Sequence, residues 1–144
     1  MATEKTARAT WEGTLAEGHG TFSLGSGAVT DQPVTWKDRA EEGGGTSPEE
    51  LIAGAHASCI LMALAGGLAR AHTPPKRLES EARTTFEQVG EGFKITKIAL
   101  AIRGEVEGID DEAFQQAAEG AKENCPVSQA LKGNVEVTLD AALI

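Results

Sequence analysis

The chain has 144 residues, 40% of them hydrophobic and 24% charged, and a formal net charge of −9. That length and balance suit a single soluble domain spanning residues 1–144 with a real core. The negative charge argues against nucleic acid or an anionic membrane as partner, because phosphates would be repelled.

The N-terminus, MATEKTARATWEG, lacks the apolar stretch of a signal peptide. Two cysteines in such a chain point to a reducing, cytoplasmic setting, where thiols do chemistry rather than structural bridging. Neither they nor His19, His56 and His72 show metal-ligand spacing, so no metal and no cofactor is expected.

Ala7, Ala9 and Trp11 alternate with Arg8, Thr10 and Glu12, which predicts a strand with one dry face. Thr21 to Leu24 reads as the returning strand of a hairpin, and Val34 to Trp36 as a short third strand. Lys37-Asp38-Arg39 and EEGGGT then form a flexible loop, with Arg39 placed just before the glycines. As an isolated residue, Arg39 also fits a solvated surface charge.

A long helix follows, from Ser47 to Arg70. Ser47 is its N-cap, Pro48 sits at the first helical position, and Glu50 completes a capping box. The segment stays apolar or small on every face, so it should be buried all round. Leu51 to Leu68 is long enough to span a membrane, about 18 residues. Yet His56, Ser58, Cys59, three glycines and many alanines make a core helix the better account. Its small residues Ala53, Gly54, Ala55 and Ala57 would admit another backbone closely.

Beyond the stop at Thr73-Pro74-Pro75, Leu78 to Val89 and Phe93 to Arg103 form a hairpin around Gly90-Glu91-Gly92. The apolar parity of the second strand switches after Ile95, predicting a β-bulge near Thr96 and Lys97. Asp110 caps a second helix, with Ile109 and Phe114 as its hydrophobic staple. Its apolar stripe is Ala113, Phe114, Ala117, Ala118 and Ala121. Pro126 begins a short helix to Leu131 with Cys125 at its N-cap, and Val135, Val137 and Leu139 alternate as a last strand. This order of elements predicts an α+β fold with antiparallel pairing.

Cys59 and Cys125 lie 66 residues apart. Buried, they could serve as small hydrophobes. A functional role needs a thiolate, and hence a nearby cation or a helix start. Cys125 has the helix start; Cys59 sits mid-helix and needs an arginine from elsewhere, for which Arg39 is the best candidate. A thiolate with a second thiol in reach describes a peroxide-reducing pair, passing through a sulfenic acid to a disulfide. His56, one turn before Cys59, fits a hydrogen-bonded core or interface histidine better than a catalytic base.

TSPEELIAGAHASC and NCPVSQAL, with AxWEG at Ala9 to Gly13 and GFKITKIAL at Gly92 to Leu100, resemble the OsmC/Ohr family of thiol-dependent hydroperoxide reductases. HASC and the position of Arg39 are closer to the OsmC branch. The resemblance implies an intertwined homodimer, with two long central helices wrapped by antiparallel sheets and an active site at each end of the interface. It implies Cys59 as peroxidatic and Cys125 as resolving cysteine, flanked by Arg39 and Glu49. It implies organic hydroperoxides as substrates and dithiols, notably lipoyl-type ones, as reductants.

The residues add one argument. Glu49 lies ten residues before Cys59, about 15 Å of helical rise. If Glu49 serves the site of Cys59, it must come from a second chain, by an antiparallel crossing of two copies near Gly54. Glu50 has its capping duty, whereas Glu49 gains only from the helix dipole. The alternative to an enzyme is a non-catalytic dimeric module that senses redox state or binds an apolar ligand.

Overall fold

The computed structural model describes residues 1–144. Ten elements follow in chain order: β1 (Ala7–Glu12), β2 (His19–Leu24), β3 (Gln32–Val34), α1 (Trp36–Ala40), α2 (Pro48–Arg70), β4 (Arg77–Val89), β5 (Gly92–Glu105), α3 (Asp111–Asn124), α4 (Pro126–Leu131) and β6 (Glu136–Leu143). They form an α+β fold with two three-stranded sheets. The chain divides into two compact units, Met1–Leu51 and Ile52–Ile144.

In the first unit, β1, β2 and β3 make an antiparallel sheet, with Trp11 paired to Gly20 and Gly20 to Val34. The expected dry face of β1 is not covered: all six of its residues are exposed. A three-stranded sheet with so few apolar side chains cannot bury a face on its own. The segment read as a loop at Lys37–Arg39 is instead the short helix α1. The Thr35 hydroxyl caps it, accepting from the Asp38 N–H at 3.1 Å.

The second unit holds the core. β4 and β5 pair antiparallel along their whole length. Thr85 faces Lys97 and Phe86 faces Ile95, which leaves Thr96 as the extra residue of the expected bulge. Alternation sends Leu78, Ser80 and Ala82 inward, while Glu79, Glu81 and Arg83 line the wet face. The pairing is not antiparallel throughout, because β6 joins β5 in parallel. The intervening α3 and α4 form a crossover, and a crossover returns a strand in the same direction.

α2 and α3 pack on the inner face of this sheet. The Ser80 hydroxyl donates to the Ala57 carbonyl of α2 at 2.7 Å. Phe114 of α3, fully buried, lies against Gly104 and Leu78. Asp110 caps α3 as expected, accepting from the Ala113 N–H at 2.9 Å.

α2 has the length and composition of a membrane span. It nonetheless places His56, Ile60, Leu64 and Leu68 in the core. The expectation that it is buried all round does not hold. Gly54, Ala55, Ser58, Met62 and Ala69 are exposed, Met62 at 75%. A helix on one face of one sheet has only one side covered.

Gly104 sets how closely α3 approaches β5. A Cβ there would lie 2.5 Å from Phe114 Cζ and 3.0 Å from Leu78 Cδ2. Gly104→Ala should therefore lower stability by about 1–3 kcal/mol through overpacking. In a Phe114→Leu background the added cost should shrink, a coupling that urea midpoints of the four proteins would measure.

Candidate active site

The four residues singled out from the sequence form two pairs. In the first unit, Arg39 of α1 reaches Glu49 in the first turn of α2. Its Nε and Nη2 both donate to Oε1 of Glu49, at 3.0 and 2.8 Å. Glu49 is 6% exposed, and its other oxygen, Oε2, has no partner. The start of α2 is capped by the Ser47 hydroxyl, which accepts from the Glu50 N–H at 3.2 Å. Glu50 is exposed, and Glu49 turns inward to meet the arginine.

Asp38 holds this corner together, and sequence reasoning missed it. Its Oδ2 accepts from the Thr35 hydroxyl at 2.9 Å, and its Oδ1 accepts from the Gly45 N–H at 2.7 Å. A Cβ on Gly45 would sit 2.9 Å from Asp38 Oδ2, so a larger residue would push the glycine-rich loop off this anchor. The Gly45 N–H, then the Thr35 hydroxyl, pull the Asp38 carboxyl below its ordinary value. The signal was legible: Thr35-x-x-Asp38 is a capping pattern.

In the second unit, the sulfurs of Cys59 and Cys125 lie 3.0 Å apart as free thiols. Cys125 is fully buried between α3 and α4; Cys59 is partly exposed. Pro126 at the first position of α4 brings the following N–H groups round toward Cys125. Its sulfur makes no regular capping hydrogen bond.

Burial raises Cys125, but the Ser128 N–H, the Cys59 thiol, the Ser128 hydroxyl and the Val127 N–H outweigh it and hold it below an ordinary thiol. Burial, then the bond to Cys125, pushes Cys59 up. Of the two, the anion is therefore favoured on Cys125. His56 is fully buried with Nε2 2.7 Å from the Ser128 hydroxyl, and desolvation keeps its imidazole neutral. No group of three or more His, Cys, Asp or Glu side chains is arranged to hold a metal.

Two thiols in bonding reach, one at a helix start whose amides favour its anion, define a dithiol redox site on an α+β scaffold. The comparisons make the class specific. The family described as OsmC-like protein matches residues 41–140. The chain is 43% identical to Peroxiredoxin OsmC of Escherichia coli (strain K12), over 99% of both chains. The fold is similar to the organic hydroperoxide resistance protein OhrB of Bacillus subtilis, with a TM-score of 0.72 and 31% identity over 94% of this chain and 97% of that one. It is similar also to an organic hydroperoxide resistance protein from Elizabethkingia anophelis, with a TM-score of 0.76 and 25% identity over 100% of both. The chain belongs to the OsmC-like family.

Removing the guanidinium leaves the Glu49 carboxylate buried and unpaired. Arg39→Ala should cost about 1–3 kcal/mol of stability, at the lower end because the arginine is 37% exposed. Arg39→Lys should recover only part, since a point charge cannot supply two donors from a planar fork. Urea titration of the three proteins checks this order.

Proposed function

We propose that this protein is a two-cysteine peroxidase that reduces organic hydroperoxides to alcohols. The observation that carries the reading is the 3.0 Å separation of two free thiols. Closing to a disulfide, about 2.05 Å, requires just under an ångström of approach. The Cys59 thiolate attacks the terminal peroxide oxygen. The O–O bond breaks, Cys59 becomes a sulfenic acid, and the alkoxide takes up a proton and leaves as alcohol. Cys125 then attacks the Cys59 sulfur, the S–O bond breaks, and water leaves as the disulfide forms. A dithiol, lipoyl-type in the simplest case, returns both thiols by exchange and becomes a cyclic disulfide. A reducing cytoplasm would supply it.

Cys59 is the nucleophile in this scheme although burial raises its thiol, so it needs a cation. Arg39 is that cation, supplied with Glu49 by a second copy in a homodimer. Three observations support this. The ten-residue spacing along α2 keeps Glu49 from its own Cys59. The small face around Gly54 and Ala55 is open, and nothing lies within 4 Å of a Cβ built on Gly54. Glu49 Oε2 is buried with no donor. In such a dimer the two compact units act as one OsmC-like domain. Sedimentation at micromolar concentration should give about twice the 15.0 kDa chain mass, and a folded monomer would remove the shared site.

The two cysteines should behave unequally. Cys59→Ser should abolish even the first turnover with cumene hydroperoxide. Cys125→Ser should react once and leave a sulfenic acid on Cys59 that dimedone traps. Mass spectrometry after one equivalent of peroxide decides this. A trapped adduct on Cys125 in the Cys59→Ser protein, formed at the wild-type rate, would reverse the assignment. Absence of a Cys59–Cys125 disulfide in the oxidised wild type would leave a one-cysteine mechanism or a binding module.

A further inference from the structure

The helix that follows the second thiol, α4, is a poor anchor by itself. It has six residues, and a lone helix in water is marginal even at about 12–15. Its apolar packing is thin: Val127 and Leu131 are only partly buried, and the one buried residue of the helix is a serine, Ser128.

That serine reaches across to α2. Its hydroxyl lies 2.7 Å from Nε2 of His56, at the short end for a hydrogen bond between nitrogen and oxygen. Both side chains are buried, at 7% and 0% exposure. The other polar tethers of this segment stay within its own stretch of chain. The Cys125 N–H donates to the Ala121 carbonyl at 2.7 Å, Gln129 Nε2 donates to the Glu123 carbonyl at 3.3 Å, and Lys132 pairs with Glu123 at 3.5 Å. Apart from the thiol contact, the His56–Ser128 bond is the one hydrogen bond between side chains that joins residues 125–131 to α2.

The two contacts are matched in position. His56 precedes Cys59 by three residues on α2, and Ser128 follows Cys125 by three. Side chains at that spacing share a helix face, so the segment is tied to α2 at both ends of one turn. The tie between sulfurs is the weaker, because a thiol is a poor donor and a poor acceptor. It also does not survive oxidation: once Cys59 carries a hydroxyl, the thiol–thiol contact is gone. The bond between imidazole and hydroxyl is untouched by that change.

Its direction follows from the surroundings of the ring. Burial keeps the imidazole neutral, so one ring nitrogen carries a hydrogen. Nδ1 is buried and has no partner. A buried orphan N–H is rarer than an under-satisfied acceptor, which leaves Nδ1 bare and puts the hydrogen on Nε2. Nε2–H therefore donates to the Ser128 hydroxyl oxygen.

We propose that His56 and Ser128 are positioning residues of the resolving step, their hydrogen bond latching α4 to α2 and holding the Cys125 sulfur within attacking range of Cys59. The inference rests on the peroxidase reading and its assignment of Cys125 as resolving cysteine. In that step the Cys125 thiolate attacks the sulfur of Cys59–S–OH. The S–S bond forms, the S–O bond breaks, and the hydroxide leaves as water with the proton that Cys125 gave up. The latch exchanges no proton and touches none of these atoms. It keeps the encounter short-ranged, and a misplacement of about 1 Å can slow such a step by about a hundredfold.

Two measurements test the latch, and the first needs no peroxide. In glutathione redox buffers, the equilibrium for closing the Cys59–Cys125 disulfide gives the effective concentration of one thiol at the other. Ser128→Ala and His56→Leu should each lower it by about tenfold. His56→Gln returns an amide N–H near the Nε2 position and should recover most of the loss. The double variant His56→Leu/Ser128→Ala should be no worse than either single one, since each breaks the same bond. In the second measurement, rapid mixing with cumene hydroperoxide, the ratio of disulfide formation to sulfenic acid formation should fall by about tenfold in Ser128→Ala, so that dimedone captures more Cys59. A merely structural bond would lower the urea midpoint and leave the effective concentration of the folded protein unchanged, and that result overturns the proposal. Additive losses in the double variant, or a His56→Gln protein that behaves like His56→Leu, would do the same. Should His56→Leu fail to fold, Ser128→Ala, which removes one oxygen, decides alone. If wild-type Cys59 forms no sulfenic acid, the peroxidase reading falls, while the glutathione equilibrium still decides on the latch.

Discussion

One stripe of α2 seats the thiol pair. His56, Ile60, Leu64 and Leu68 recur every four residues and are buried at 2% exposure or less. Residues at that spacing share a helix face, so burying them fixes the rotation of the helix over the inner side of the β4–β5–β6 sheet. Cys59 immediately precedes Ile60, and rotation about the helix axis would swing its sulfur away from α4. The Ser80–Ala57 hydrogen bond pins the same stretch from the sheet side. The opposing thiol is set by other means. Pro126 cannot continue α3, the chain breaks at Cys125, and α4 restarts with its amides facing the sulfur.

Charge is distributed so that each pair lacks something. No cation is among the groups that act on the thiols of Cys59 and Cys125. Arg39, itself partly exposed, pairs with the buried Glu49 carboxylate and leaves one of its oxygens over. An unpaired buried acceptor costs stability unless something met in use repays it. The proposed dimer would bring a guanidinium to the raised thiol, and with it the carboxylate that carries the spare oxygen.

Local chemistry was the legible part. The caps at Ser47 and Asp110, the proline restart after Cys125 and the bulge at Thr96 are short-range patterns, and each stands where the spacing puts it. The Thr35–Asp38 cap was equally local; a run of charged residues before glycines hid it as a loop. Long-range facts were not legible. Alternation in Val135, Val137 and Leu139 tells that a strand exists, not that it runs parallel to β5. The apolar girth of α2 suggested burial on every side, because composition cannot distinguish a face covered by this sheet from one left for another chain. Ser128 looked like any helix serine; only the imidazole that meets it from 72 residues away marks it out.

The parallel seat of β6 also orders the making of the site in time. A crossover strand can dock only after the intervening helices are laid down, and such non-local pairing is among the slower steps of folding. Cys125 sits inside that crossover, where α3 ends and α4 begins. During vectorial synthesis Cys59 leaves the ribosome 66 residues ahead of it. The β4–β5 hairpin and the core stripe of α2 can assemble while the second thiol is still being made. For that interval Cys59 is a lone sulfur on a nascent chain, without the neighbour that would convert its sulfenic acid to a reducible disulfide. The topology therefore completes the thiol pair last, after the rest of the core that seats Cys59 can already have formed.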